Sequence, residues 1–571
     1  MNDILWLTMR KMRLPLILLL LVFGFSMFGM MLIPGIDNEG DVYYLNFLEA
    51  AYFVAFMSTT IGFGEIPYAF TNAQRLFVFS IIYLNVATWL YSVGAILGLF
   101  LDVRFRAELA AARFRRRVSW IGEPFYIICG VGDTGEQILL GLNQRGLHAT
   151  IIELREDRIH KLELDSSMNK FPMLVADAGD KDSLIQAGLN PEHKKYNCLG
   201  VITTTNDDHT NLKIAITTKL LCPKLTVLAR CESQVVAANM ASFNTDYIID
   251  PYQIFAERLG LAIQSSVKYL VQDWLIAVPG TQLRKEKPLP NGHWIICGLG
   301  RFGSKVAQQM QQAGVGITVI DVREHLLKNY PSSVHGRGTQ AETLRAAGVA
   351  DAVGIIAGTG DDVDNLSIIM TARDIKPDLF FVARQEKSDN SILFETAEID
   401  LIARRSHIVA RRILALVTTP LLRPFLEYMI HQKDNWAERL AHKLEPILKG
   451  RAPNLWLIDI NGIDAAGVQV CNKLNIKVKI TNLSHNSRFH NEQSLSSICL
   501  VLERGGQRIF LPEDEHEIKE GDRLLFAGRS RARRDMFWTL SDPNRLLSNA
   551  AGVDLPRGAI WRWWYKKRQH K

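Results

Sequence analysis

The sequence has few cysteines and no close pair of them. Seven occur in 571 residues, and none forms a C-x-x-C. Cys129, Cys198, Cys222, Cys231, Cys297, Cys471 and Cys499 all follow the apolar N-terminal region. This excludes a zinc or disulfide framework and reads as reduced cytosolic thiols. No D-x-D-x-D-G loop is present, so no EF-hand is expected. No apolar segment carries an arginine ladder, which excludes a voltage sensor of the usual kind. The net charge is only +7. Its basic residues cluster near the ends of apolar segments rather than on one long face, so nucleic acid is not an expected partner.

Against these absences stand two long apolar runs. Residues 14–33 carry no charge and suffice for one helical crossing of a bilayer. Arg10, Lys11 and Arg13 precede them and place the N-terminus in the cytoplasm; no A-x-A site follows, which argues against a cleaved signal peptide. Residues 72–101 form the second run, long enough to protrude from the bilayer. Arg104, Arg106, Arg113, Arg115, Arg116 and Arg117 then put its far end inside as well.

Between the runs, residues 34–46 carry Asp37, Glu39 and Asp41 without Lys or Arg: an outer turret concentrating cations, or an ordinary solvated loop. Residues 47–58 are apolar but too short to span, as expected of a re-entrant helix. Its C-terminal dipole end favours a cation. There follows Thr59-Thr60-Ile61-Gly62-Phe63-Gly64-Glu65. Glycines at 62 and 64 permit the backbone angles of a short run whose carbonyls replace an ion's water shell.

In that context the stretch resembles the signature of the potassium-channel family, in which four copies surround one pore. The resemblance implies a selectivity filter at Thr59, Thr60, Ile61, Gly62, Phe63 and Gly64. Phe63 stands where the family more often has tyrosine, and Glu65 where aspartate is common. Gly94 and Gly98, one turn apart, are read as a bend in the second span or as close-packing positions. Leu97 and Phe100 near them are read as an apolar gate or as lipid and helix contacts. The family's usual hinge position holds Leu84 and Asn85 here.

The remaining chain is a repeat. F-Y-I-I-C-G at residues 125–130 matches H-W-I-I-C-G at 293–298. The turns that follow are Gly130-Val131-Gly132-Asp133-Thr134-Gly135 and Gly298-Leu299-Gly300-Arg301-Phe302-Gly303. Both are G-x-G-x-x-G between a strand and a helical pattern, the dinucleotide-turn context. The next strands end at Glu153 and Asp321, acids able to bind ribose hydroxyls. Asp177-Ala178-Gly179 corresponds to Arg337-Gly338-Thr339, and later strands end at Arg230 and Arg384. Such register predicts a duplicated Rossmann-type unit. Long helices are expected at about 254–275 and 406–428, and short strands at 454–528 ending in G-D-R-L-L-F-A-G.

Residues 123–530 resemble RCK domains, regulators of potassium conductance. The resemblance implies an adenine nucleotide, NAD or ADP, as regulatory ligand, and extends to calcium in some members. Arg301 favours the second turn as the phosphate site, because an arginine there suits a pyrophosphate. Asp133 would repel one, while Asp177 and Ala178 keep the family's adenine-side phrase in the first copy. Asp207-Asp208, Asp361-Asp362-Asp364 and Glu513-Asp514-Glu515 are acidic groups for calcium, or, for the aspartates, helix caps.

The expected fold is a membrane α-helical pore domain of two spans and a re-entrant helix, then two α/β Rossmann-type domains and a small α+β C-lobe. The expected boundaries are pore 1–102, linker 103–122, first RCK domain 123–290, second N-lobe with connecting helices 291–450, C-lobe 451–532 and tail 533–571. The tail's Trp561, Trp563, Trp564 and Lys566 suit a membrane interface, a subunit contact or a frayed terminus. The expected function is a potassium-selective homotetrameric channel of the plasma (inner) membrane, both termini cytoplasmic, gated by nucleotide. The rivals are a non-selective cation pore, a non-conducting regulator, and a membrane-anchored NAD-dependent oxidoreductase; no residue constellation for hydride transfer is found.

Overall fold

A computed structural model describes residues 2–190, 197–283, 287–461, 465–485 and 495–551. The aromatic tail at 561–568 lies outside them. The chain divides into two compact units, Met1–Ile121 and Gly122–Lys571.

In the first unit two helices are long and apolar enough to cross a membrane. Helix α1 runs Asn2–Leu32, with its apolar stretch at Lys11–Leu32, and α3 runs Asn72–Leu101. Between them the short helix α2, Phe47–Ser58, begins with a capping box: Asn46 accepts from the Glu49 amide and Glu49 returns the bond. Asp37 is spent on its own loop, accepting from the Glu39 and Asp41 amides. Met30, Phe53, Val54, Phe56, Met57 and Ile81 pack α2 against both long helices.

The stretch expected as a linker is helical. Helix α4 covers Val103–Ser119. Asp102 caps it, accepting from the Phe105 amide at 3.0 Å, and also pairs with Lys11. Strong helix formers such as Ala110, Ala111 and Ala112 explain the state.

The second unit opens with two six-stranded parallel sheets of identical topology. The first has β1 Phe125–Cys129, β2 His148–Glu153, β3 Met173–Val175, β4 Cys198–Thr203, β5 Thr226–Arg230 and β6 Tyr247–Ile249, in spatial order β3-β2-β1-β4-β5-β6. The second has β7 Trp294–Cys297, β8 Ile317–Asp321, β9 Ser333–His335, β10 Gly354–Ala357, β11 Phe380–Gln385 and β12 Leu401–Arg404, ordered β9-β8-β7-β10-β11-β12. Their central strands are apolar and fully buried, as parallel sheets covered on both faces require. A four-stranded antiparallel sheet follows: β13 Asn454–Asp459, β14 Ser497–Arg504, β15 Gln507–Phe510 and β16 Arg523–Gly528.

The two long connecting helices are each broken. The first is α6 Pro251–Gln264 and α7 Ser266–Ile276, parted at Ser265, whose hydroxyl caps the second piece. The other is α9 Arg405–Thr418 and α10 Leu422–Ile430, bent by 115°. Pro420 follows Thr419 and disfavours a helical conformation there.

These helices exchange partners between the copies. Tyr252, Phe255 and Leu259 of α6 pack on Phe302, Val306 and Met310 of α8, Arg301–Gln312, the first helix of the second copy. Val409, Ile413 and Leu414 of α9 pack on Ile138 and Leu142 of α5, Asp133–Gln144, the first helix of the first copy. Gly141 lets Leu414 approach, for a Cβ there would lie 2.2 Å from Leu414 Cδ1.

Candidate pore and nucleotide sites

Residues 59–64 leave the C-terminus of α2 without joining any strand. The sign of φ is positive at every second residue: 61° at Thr60, 69° at Gly62 and 97° at Gly64. In a uniform extended run, successive carbonyls point to opposite sides. Alternating the sign turns them toward a common side, as dehydration of a cation requires. Glycine adopts such angles freely. For the β-branched Thr60 they store about 1–3 kcal/mol of strain. The Phe63 ring rests on Tyr52 and Phe56, with centroids 6.2 and 5.7 Å away. Glu65 accepts the Phe70 amide and a two-point ion pair from Arg75 at 2.8 and 2.9 Å. Phe63 thus braces through packing where a hydroxyl is absent, and Glu65 is tied to α3.

Sequence reasoning gave one residue no role of its own. Asn85 is fully buried in α3; its amide donates to Ser26 of α1 at 2.7 Å, and its carbonyl meets Ser58 of α2 at 3.5 Å. It joins all three helices behind the glycine stretch. The signal was available, because a lone asparagine in an apolar span is costly unless partnered. A Cβ added at Gly94 or Gly98 would meet nothing within 4 Å, and Leu97 and Phe100 are more than half exposed in the single chain.

The glycine turns are built as the motif requires. Gly130 and Gly298 have φ of 89° and 94°. A Cβ on Gly135 or Gly303 would lie 2.5 or 1.8 Å from the carbonyl oxygen of Gly130 or Gly298, so only hydrogen fits. Helices α5 and α8 start at Gly132 and Gly300 with no side-chain cap. Their first amides are left for an anion. Beside the second turn lies a cavity of about 340 Å³, lined in part by Gly298, Gly300, Asp321, Arg323, Arg337 and Thr359. These residues fit an adenine nucleotide, with phosphates at the helix start and ribose at the acid.

The copies differ around this frame. In the first, Arg158 lies against the turn, its Nη1 2.4 Å from where a Gly132 Cβ would stand; at Gly300 nothing comes within 4 Å. Glu153 accepts the Val131 amide at 2.5 Å and the Arg155 amide at 3.0 Å. Asp321 accepts the Leu299 and Arg323 amides at 2.6 and 2.8 Å, and also the Arg323 guanidinium at 2.9 Å on each oxygen. Burial pushes the Asp321 carboxyl upward, but these donors outweigh it and hold it below the usual range. Asp177 bonds the Gly179 amide, Ala178 is buried, and Arg337 is exposed at the cavity wall.

Arg301 is not directed at the phosphate position. It reaches Glu232 of the first copy at 3.1 Å and lies 5.9 Å over the Tyr252 ring. Its counterpart Asp133 likewise accepts from Ser388 of the second copy at 2.6 Å. Glu232 also pairs with Arg230 and, at 3.2 Å, with Arg405, which bridges to Glu386 at 3.2 Å. Arg384 pairs with Glu386 and donates to the Tyr252 hydroxyl at 2.7 Å. This buried ionic cluster sits between the copies. Position four of the motif thus serves the contact between domains, which a one-copy motif cannot reveal.

Five of the acidic side chains considered for calcium are engaged. Asp207 and Asp361 cap helices, and Asp208 and Asp362 accept the amides at 232–233 and 386–387. Glu515 pairs with Lys479 at 2.5 Å. Among the described residues no three metal-ligating side chains come together. A second cavity, about 380 Å³, lies apart from both turns; its Asp273 pairs with Arg258 at 2.8 Å and Arg411 at 3.7 Å.

Comparison with known proteins accounts for this arrangement. Residues 16–101 match the family model described as Ion channel, and residues 126–251 and 294–404 each match the TrkA-N domain. Potassium channel protein 1 of Methanocaldococcus jannaschii is 30% identical over 103 residues, 17% of this chain and 31% of that one. The voltage-gated potassium channel Kch of Escherichia coli is 25% identical over 214 residues, 37% of this chain and 48% of that one. The chain thus spans less than half the length of these relatives. Among solved structures, a GsuK channel bound to NAD aligns with 94% of this chain and 100% of its own, at 16% identity and a TM-score of 0.48. The chain joins an ion-channel domain to two TrkA-N domains, and its named relatives are potassium channel and Trk potassium uptake proteins rather than enzymes.

Proposed function

We propose that this union of one ion-channel domain and two TrkA-N domains is the subunit of a potassium-selective channel, gated from the cytoplasm by an adenine nucleotide such as NAD or ADP. The observation that carries the reading is the alternating-φ stretch at Thr59-Thr60-Ile61-Gly62-Phe63-Gly64, in the same chain as two glycine turns with uncapped helix starts. Four chains surround one axis, so that four such stretches complete each ring of carbonyls. Both termini face the cytoplasm of a plasma (inner) membrane, as the arginines after residue 103 support.

Nucleotide phosphates rest on the amides at the start of α8 and, in the first copy, α5. In the second site Gly298, Gly300, Phe302, Gly303 and Asp321 form the cradle, and Arg301 acts through Glu232. Gly130, Gly132, Gly135, Glu153, Asp177 and Ala178 form the first. The ligand supplies binding energy and no chemistry. It moves the gate, at Gly94, Leu97 and Gly98, only by preferring one conformation of the TrkA-N pair. A preference of about 1 kcal/mol at each of four subunits sums to about 4 kcal/mol, roughly a thousandfold in the gate equilibrium. Calcium is left out of this scheme, since five of the acids offered for it are engaged in caps, backbone hydrogen bonds and an ion pair.

Planar-bilayer recording of the purified protein, with potassium on one side and sodium on the other, tests the reading. The expected result is a reversal potential near that of potassium, with open probability changed by NAD or ADP on the cytoplasmic face. Reversal near zero would replace selectivity with a non-selective cation pore. Selective current indifferent to NAD, ADP and calcium would reduce the glycine turns to scaffolding.

A further inference from the structure

The two ribose-side acids differ in how much bonding capacity remains to them. A carboxylate offers about four lone-pair directions. Glu153 spends two, on the Val131 and Arg155 amides, among the described residues. Asp321 spends all four: on the Leu299 and Arg323 amides and on two guanidinium nitrogens of Arg323. The arginine itself does not differ, for Arg155 and Arg323 each stand two residues after the acid. What differs lies two residues further on. In the first copy Asp157 takes Arg155 at 3.1 and 2.6 Å and draws it away from Glu153. The second copy has His325 there, and Arg323 folds back on Asp321. A second exchange has the same sign: Asp177 in the first copy corresponds to Arg337, on the wall of the cavity beside the second turn.

A free carboxylate beside a ribose accepts from its 2′- and 3′-hydroxyls and repels a phosphate on either. A carboxylate neutralised by an arginine, with a second arginine nearby, loses that repulsion and leaves the phosphate one uncompensated cation. We infer that the cavity beside the second turn accepts adenine nucleotides phosphorylated on the ribose 2′-oxygen, the NADP class, about as well as those with a free diol, whereas the first turn accepts only the free diol. His325 and Asp157 are the positioning residues of this difference, acting through Arg323 and Arg155. The inference rests on the nucleotide reading of these turns and adds to it the class of ligand.

The test is isothermal titration of the full-length, detergent-solubilised protein with NAD and with NADP, for the wild type and for His325→Asp. A new aspartate at 325 offers Arg323 the partner that Arg155 has. The expected Kd for NADP is within about threefold of that for NAD in the wild type, rising at least about tenfold in H325D while NAD changes by less than about threefold. Arg323→Ala should weaken NADP relative to NAD. Matching thermal unfolding of wild type and variants shows that the shift is not misfolding. NAD binding with NADP more than about tenfold weaker in the wild type overturns the inference and leaves the nucleotide reading intact. An NADP affinity unchanged by H325D also overturns it. Binding of neither nucleotide overturns both.

Discussion

The fourth residue of the glycine turn is an aspartate in the first TrkA-N copy and an arginine in the second. Each turns away from its own helix start and meets the opposite copy, Asp133 at Ser388 and Arg301 at Glu232. The two contacts are related by the internal repeat but are unequal. The Asp133 contact is an exposed hydrogen bond, while the Arg301 contact joins a buried cluster in which Glu232 is only 5% exposed. A duplicated fold therefore holds its halves together from one side more than the other, and the difference is electrostatic.

The largest way to break this comparison is Glu232→Gln. It removes one charge facing Arg230, Arg301 and Arg405. Breaking a buried ion pair from one side costs about 3 kcal/mol or more. Denaturant unfolding of the solubilised chain should show that loss. Glu386→Gln, at a more exposed carboxylate, should cost less than half as much. Equal costs would mean that the halves are joined symmetrically.

The same pair has a pH signature. Burial pushes the Glu232 carboxyl up, but Arg230, Arg405 and Arg301 outweigh it and hold it below its ordinary 4.5. A lowered folded-state value gives stability that is present above the ordinary value and lost as pH falls through the lowered one. The stability gap between wild type and E232Q should be constant near neutrality and shrink as pH falls below 4.5 and through the lowered value. A gap that widens on acidification would contradict the sign.

Third in size is Gly303→Ala against Gly135→Ala. The added Cβ meets a backbone oxygen at 1.8 Å in the second copy and 2.5 Å in the first. Backbone must move in both, at about 1–3 kcal/mol, and G303A should stand at the upper end. Thermal unfolding in the presence of saturating NAD reads both the stability loss and the lost ligand protection. The smallest effect is a control on symmetry. Asp207→Ala and Asp361→Ala remove matching helix caps and should each cost about 1 kcal/mol. A difference of more than about twofold between them would show that the copies diverge even in their scaffolds.

Much of this was legible in residue patterns. The short helix occupies residues 47–58 as its apolar run implies, and both glycine turns sit between a strand and a helix. Such features depend on neighbours in the chain. Where reading failed, a signal was outweighed or the partner was remote. Arginines after residue 103 read as topology markers, and the alanines among them that make α4 a helix carried less weight. Thr419-Pro420 marked the break between α9 and α10, yet the apolar pattern runs on through it. The direction of Arg301 was not legible at all, since Glu232 lies in the other copy and only the exchanged packing of α6 and α9 brings it near. Asn85 was half legible: a lone asparagine in an apolar span signals a polar partner, but its partners come from two other helices.

That exchanged packing also sets an order of events at the ribosome. The face of α5 around Ile138 and Leu142 is covered by Leu414, roughly 270 residues later in the chain. At ordinary elongation rates that is on the order of 10 to 50 s during which an apolar helix face waits in water. By then both membrane helices have left the ribosome. The first copy must therefore await the second while already tethered to the bilayer, and a nascent chain stalled between residues 312 and 405 should be an avid client of chaperones.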